Sequence, residues 1–353
     1  MKQVRSIFFM ILTLLIIASP LFTKAQGRVT ELQAGSTLIP VLIYHRILPK
    51  ALSIYDYTPE LLEGHLRFFQ ENGYTPITAL RMIEMMGQPE QLPEKPVILT
   101  FDDGHKSHYT EALPLLKKYG YQATFFVYTD VISEKSDKQL TWDELRVMRQ
   151  NGMDIQSHTK SHPHLTQALK NESKEAYLKR LINEIQGSKL ILEKHLQQKV
   201  DLLAYPYGWF NQAIETLAVQ AGYQGIFTVN WGANLPTENP LRIKRRVMEN
   251  SISKAELERL LSARPLPIEI IHPEDAATFS KVPEIKFKIT DSKTATVEIK
   301  VRSSIGKISQ NEEGFFTWQG LKELRPGYHM IVIKGFNKED QPFIHSWGFD
   351  YQN

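Results

Sequence analysis

Four short segments of this 353-residue chain carry residue types able to do chemistry, and each follows a mostly apolar run. Val97-Ile98-Leu99-Thr100-Phe101 ends in Asp102-Asp103-Gly104. Two adjacent carboxylates raise one another's pKa unless a cation shares the site; taken alone, the run is as readily a solvated turn. Ser157-His158-Thr159-Lys160-Ser161-His162 sets two histidines at the spacing of one face of a helical turn, so that both imidazoles can reach one ion. With an aspartate from a neighbouring strand end they would make a two-His, one-carboxylate site. Three protein ligands leave a position for water, the mark of a catalytic rather than a structural metal site. In Ala204-Tyr205-Pro206-Tyr207-Gly208, Pro and Gly around Tyr207 fix either an ordinary aromatic turn or one that aims a backbone N–H into a pocket. Val41-Leu42-Ile43-Tyr44-His45-Arg46 ends at a histidine, a residue that in isolation is usually structural.

Composition narrows what these residues can be. The chain has no cysteine, which removes disulfides, thiolate zinc sites and cysteine nucleophiles, so any metal must be held by His, Asp or Glu. Hydrophobic residues at 42% and charged residues at 23% are globular values for a chain long enough for about two domains. The formal charge of +3 comes from Lys2, Arg5 and Lys24, since residues 1–25 hold no acid and the remainder has 39 basic against 39 acidic residues. A neutral body gives no footprint for nucleic acid. Residues 1–25 read as a signal peptide: a positive start, an apolar stretch from Ile7 to Phe22, and small residues at Thr23 and Ala25. An uncleaved anchor is the alternative, and either puts the folded part outside the cytoplasmic membrane, secreted, periplasmic or at the cell surface.

The elements that must position the four segments follow from periodicity. Strands are expected over 39–44, 74–77, 97–101, 123–128, 153–156, 202–205 and 225–229, and helices over 59–71, 109–118, 142–150, 172–195 and 212–221. Thr141 with Glu144 forms a capping box, and Gly73, Gly120, Gly152 and Gly222 each stop a helix before a strand. Strands separated by helices imply parallel pairing and a distorted (β/α) barrel over 38–262, with a doubly wound open sheet as the alternative. In a barrel, His45, Asp102, Asp103, His158, His162 and Tyr207 all fall at the C-terminal strand ends, the rim where active sites sit. Arg264-Pro265-Leu266-Pro267 resembles a linker, and 266–353, with strands expected over 285–289, 295–301, 315–318, 328–336 and 344–351, reads as an immunoglobulin-like β-sandwich. That module could be a spacer, or could bind a surface or a glycan.

Thr100-Phe101-Asp102-Asp103, His158-Thr159-Lys160-Ser161-His162 and Pro206-Tyr207-Gly208 together resemble the first three motifs of the polysaccharide deacetylases, over roughly residues 38–250. The resemblance implies a distorted (β/α) barrel, a divalent metal, usually zinc, and hydrolysis of N-acetyl or O-acetyl groups on sugars. It implies Asp103, His158 and His162 as metal ligands and Asp102 as general base, with the Tyr207 N–H on the oxyanion and His45 as the acid for the leaving amine. Two departures stand out. Ala204 occupies the place of an Arg that commonly orients the catalytic Asp. The catalytic His motif, normally late, is early here at Tyr44-His45, with His272 in Ile271-His272-Pro273 as the late rival. An early Tyr-His-Arg followed by Gly73-Tyr74 is similar to the branch that de-N-acetylates poly-β-1,6-N-acetylglucosamine of biofilms. The expected partner is therefore an N-acetylated polysaccharide, with membrane or wall association through the N-terminal segment or the β module. An O-acetyl esterase and a non-catalytic glycan-binding protein are the alternatives, and two His with one carboxylate also suit iron or cobalt.

Overall fold

Strand β3 (Pro96–Asp102) is buried along its whole length, as a near-continuous apolar run covered on both faces should be. Side chains alternate along it. Val97, Leu99 and Phe101 pack with Leu62, Leu66 and Leu116 of the surrounding helices. Ile98 faces the other way, into a second cluster with Phe126, Leu202, Phe227 and Ile243. Thr100 and Asp102 share that inward parity. The computed structural model describes residues 37–352 except 291–295, 302–305 and 321–323. The segment read as a signal peptide and Ala295, the head of one expected strand, lie outside the described residues.

β1 (Val41–Tyr44), β2 (Thr75–Ile77), β3, β4 (Thr124–Val127), β5 (Asp154–Ser157), β6 (Leu202–Ala204), β7 (Gly225–Phe227) and β8 (Arg246–Val247) form one parallel sheet. Its order is β7-β6-β5-β4-β3-β1-β8, with β2 paired to β3. β2 lies beside the start of β3 only, for Ile98 pairs Val41 on one edge and Ile77 on the other. The sheet curls into a distorted barrel. Just before β8, Ile243 bridges Phe227, so the segment 243–247 touches β7 at one end and β1 at the other. β8 was not among the expected strands because Lys244, Arg245 and Arg246 mask its apolar period.

Expected helices α1 (Pro59–Glu71) and α4 (Trp142–Gln150) form as read. Thr58 caps α1 ahead of Pro59, whose missing N–H costs nothing in a first turn. In α4, Thr141 Oγ1 accepts from Glu144 N–H while Glu144 accepts from Thr141 N–H at 2.9 Å. α2 (Ala79–Met85), absent from the sequence expectations, sends Ala79 and Met82 into the inner cluster. α3 (Leu113–Tyr119) opens through a π turn, His108–Ala112. The long helix expected over 172–195 is interrupted: α5 (Lys174–Ile182) and α6 (Ser188–Leu196) flank a π segment, Asn183–Gly187. α7 (Gln212–Gln220) and α8 (Lys254–Ser262) complete the set. No helix among the described residues is long and apolar enough to cross a membrane.

The remaining strands build a β-sandwich. They are β9 (Arg264–Pro265), β10 (Ile268–His272), β11 (Ala277–Phe279), β12 (Ile285–Ile289), β13 (Thr296–Val301), β14 (Gly306–Gln310), β15 (Phe315–Gly320), β16 (Gly327–Phe336) and β17 (Pro342–Tyr351). One sheet runs β10-β12-β15-β14, the other β11-β17-β16-β13 with β9 on β17. Phe287, Trp318, Ile331, Ile333, Trp347 and Phe349 fill the space between them. The segment read as a linker belongs to this body: Arg264–Pro265 pairs with β17, and Leu266 is buried in the sandwich core. Proline tolerates an edge position because no ladder donor is needed there.

At the start of β5, burial pushes the Asp154 carboxyl up to about 6, against hydrogen bonds from Gln156 and Thr124 that pull it down. The folded state thus keeps a proton that the unfolded chain releases near pH 4. Its contribution to stability is full below about pH 4 and is lost as pH rises through about 6, by at most ~3 kcal/mol. Denaturant melts at pH 4 and pH 7 should show this slope in the parent and a flatter one in Asp154→Asn.

Candidate metal centre and its cleft

Two aspartates next to each other on an extended strand would point to opposite faces. Here they do not. β3 ends at Asp102, and Asp103 turns the chain with a φ of 79°, its N–H donating to Phe126 O at 3.1 Å. Gly104 follows at φ 67°, where a Cβ would press within 3.3 Å of Val127 and Ile132 side chains. Both carboxylates consequently line one cleft of about 460 Å³, within the usual range for ligand pockets.

His158 follows β5 directly. Its Nδ1–H donates to Ala204 O at 2.8 Å, which leaves the Nε2 lone pair facing the carboxylates. Nε2 lies 3.6 Å from Asp103 Oδ1 and 3.8 Å from Asp102 Oδ2, and His162 Nε2 lies 3.3 Å from Asp103 Oδ1. Burial, and then His158, pull the His162 imidazole down to about 4, so it stays a neutral, metal-competent base. Asp103 Oδ1 is buried and makes no hydrogen bond. One ligand atom each from Asp103, His158 and His162 lie within 4.8 Å of one another. Oxygen and imidazole nitrogen atoms converging in this way, around an orphaned carboxylate oxygen, fit a small divalent cation.

The two histidines do not meet across a helical turn, as their spacing had suggested. Residues 158–162 form a bent loop in which Thr159 and His162 are left-handed, at φ 68° and 60°. The loop is held from below by Glu184, a buried carboxylate that accepts from Lys160 N–H at 3.0 Å, Ser161 N–H at 2.8 Å and Ser161 Oγ–H at 2.7 Å. Glu184 sits in the π segment between α5 and α6; such bulges are frequent at functional sites. Left-handed residues cost on the order of 1–3 kcal/mol each and persist where surrounding contacts over-determine them.

Asp102 has a partner that motif reading missed. Arg245, fully buried, makes a bidentate pair with it at 2.8 and 2.9 Å. Its remaining donors reach Thr228 O at 3.0 Å and Thr100 Oγ1 at 3.3 Å. Burial alone would raise the Asp102 carboxyl; Arg245 and then His158 more than offset it and hold the group below the usual carboxylate range. The guanidinium absent at Ala204 is thus supplied from the segment leading into β8. Its signal was present in the sequence, since Ile243, Arg245 and Val247 share one parity between apolar ends, but a buried arginine at strand parity reads as solvated.

His45 and Tyr207 also line the cleft, while His272 does not. His45 Nδ1 is buried without a hydrogen-bond partner, and its backbone oxygen accepts from His108 Nε2–H at 2.7 Å. Tyr207 is left-handed at φ 59° and the residue is 48% exposed. A Cβ on Gly208 would fall 2.6 Å from Val229 N, so this turn requires glycine. His272 lies in β10 of the sandwich with its ring against Phe279. The sequence reading had not singled out Tyr55, His164, Trp209, Trp231, Arg246 or Glu249, which also line the cleft.

Arg245→Met should leave a buried unpaired carboxylate and lower stability by about 3–5 kcal/mol in denaturant melts. Adding Asp102→Asn should recover part of that loss.

Residues 90–226 match the family model described as polysaccharide deacetylase. YxkH of Bacillus subtilis, named for the polysaccharide deacetylases, is 31% identical over 195 residues, covering 55% of this chain and 66% of that protein. The poly-β-1,6-N-acetyl-D-glucosamine N-deacetylase of Staphylococcus aureus is 24% identical over 221 residues, 62% of this chain and 76% of its own length. Among solved structures, the Streptococcus pyogenes deacetylase PplD, in complex with acetate, superposes with a TM-score of 0.57 at 29% identity, over 64% of this chain and 99% of that one.

Proposed function

Because the chain carries a polysaccharide deacetylase domain, we propose that it is a zinc-dependent hydrolase that removes N-acetyl groups from a β-linked N-acetylglucosamine polysaccharide of a biofilm or cell wall. One observation carries this reading: Asp103, His158 and His162 converge on one point while a second carboxylate, Asp102, stays 3.8 Å from His158 and is tied to Arg245 instead. A purely structural metal site has no use for a charged base held beside it.

When bound, a divalent ion there supplies Lewis acidity and a water nucleophilic at neutral pH. Asp103 Oδ1, His158 Nε2 and His162 Nε2 would hold it. Asp102, anionic and locked in orientation by both Arg245 bonds, takes the proton of the attacking water. The Tyr207 N–H, aimed by the turn that Gly208 permits, supports the oxyanion at the acetyl carbon. His45 hands a proton to the departing sugar nitrogen. Amines leave poorly unprotonated, so this last role matters more for an amide than for an ester. The Staphylococcus aureus relative, named for poly-β-1,6-N-acetyl-D-glucosamine, makes β-1,6 linkage the first to try. The apolar, acid-free start of the chain supports an enzyme working outside the cytoplasmic membrane.

Acetate release from β-1,6-linked N-acetylglucosamine oligomers, with metal analysis of the same sample, tests the assignment. Asp102→Asn should keep its metal and lose at least ~10²-fold in kcat; an active variant ends its role as base. His45→Ala should lower turnover of the amide substrate far more than of an acetyl ester. Equal losses on both would remove His45 as the acid.

A further inference from the structure

The wall of the cleft beside the metal ligands is a ladder of rings. Tyr207 packs edge-on against His162 with centroids 4.7 Å apart, and stacks on His164 at 4.1 Å and 23°. His164 in turn lies against Trp209 at 4.3 Å and 36°. All of these rings line the cleft, so the ladder starts at His162 and steps away from it ring by ring through Tyr207 and His164 to Trp209.

The far end of the ladder is seated by the sandwich. Gly327 opens β16 with a φ of 127°, and a Cβ there would come within 2.8 and 2.9 Å of two Trp209 ring atoms. Beside it, Gln167 reaches Pro326 O at 3.5 Å, and Gln352 Nε2–H donates to Thr166 O at 3.1 Å, bracing the strip that carries His164. A second lining segment is held by the same body: Ser346 Oγ–H donates to the backbone oxygen of Trp231 at 2.6 Å, and Tyr328 O–H to Asn230 Oδ1, next to it in the chain, at 3.0 Å. A spacer module would touch the barrel anywhere; this one meets two lining residues of the cleft, the Trp209 ring and the Trp231 backbone.

We propose that the sandwich shapes the substrate site from behind, without lining it. It holds Trp209 and His164 in place as a stacking platform for a sugar ring of an extended glycan, one or more residues along from the sugar that loses its acetyl group. Pyranose rings present C–H faces that bury well on aromatic surface, and the platform recognises them without reading the acetyl group itself. The inference rests on the proposed glycan substrate but not on its hydrolysis.

Calorimetric binding of a β-1,6-linked N-acetylglucosamine hexamer to the full-length, zinc-loaded protein tests it, alongside KM and kcat for acetate release. Gly327→Ala, which pushes on the Trp209 ring, and Trp209→Ala should each weaken hexamer binding about tenfold. KM should rise to match, with a smaller change in kcat and full metal content. Trp209→Phe should restore most of the affinity. Unchanged hexamer binding in both variants overturns the proposal, as does an equal rise in KM for a small acetyl ester, which would signal a general disturbance. A parent that binds hexamer but releases no acetate sinks the hydrolase reading alone. A parent that binds no hexamer overturns the platform, even if it releases acetate from smaller substrates.

Discussion

Two carboxylates in one low-dielectric cavity cannot both stay charged unless positive charge is shared between them. The buried Asp102–Arg245 pair solves this for one of the two. It offsets the Asp102 charge in place and occupies both of its oxygens, while Asp103 Oδ1 stays without a hydrogen bond beside the imidazoles. Without the guanidinium, both aspartates would compete for the same cation or the same proton, and the proposed division of labour between ligand and base would disappear. The bidentate geometry also fixes the carboxylate plane, which a lysine's point charge does not do.

The rest of the barrel mouth is organised around keeping that arrangement. Asp103, Thr159, His162 and Tyr207 all adopt left-handed backbone, and each is held there by neighbours. Glu184 clamps the histidine loop from beneath, Gly104 and Gly208 relieve the turns that follow the aspartates and Tyr207, and the Ala204 carbonyl fixes which nitrogen of His158 carries its proton. Ala204 itself is small and inward-facing, in the cluster that also packs Phe126, over whose ring the Arg245 guanidinium sits at 5.2 Å.

The sandwich changes what the cleft can be. Arg242 joins Glu215 of α7 to Asp275 of the segment before β11 at 2.7 and 3.0 Å, and Asn211 Nδ2–H donates to Asp350 at 3.1 Å, so polar contacts stitch the two bodies together near the rim. The Arg242 pairs are only part-buried, so their contribution to stability is modest. A rim braced from outside can carry aromatic residues on its loops.

Much of this was legible from residue order alone, wherever the cause acts over a few residues. The apolar run of β3 and its period of two put Asp102 inside a barrel, and Thr58–Pro59 and the Thr141–Glu144 box start helices at the expected residues. Two histidines with nearby aspartates pointed to a candidate metal site, and the fold brings one ligand atom from each of Asp103, His158 and His162 together. Other features depended on partners far apart in the chain. Arg245 lies 143 residues from Asp102, Glu184 reaches back 24 residues to Lys160, and Gly327 meets a tryptophan from another layer. Even the histidine spacing, read as a helical turn, acquired its true shape from Glu184 and not from its own propensity. Local chemistry names the groups that react, because side-chain type and strand parity are intrinsic to the chain. Burial decides which charges meet, because an ion pair removed from water exists only once the fold has closed around it.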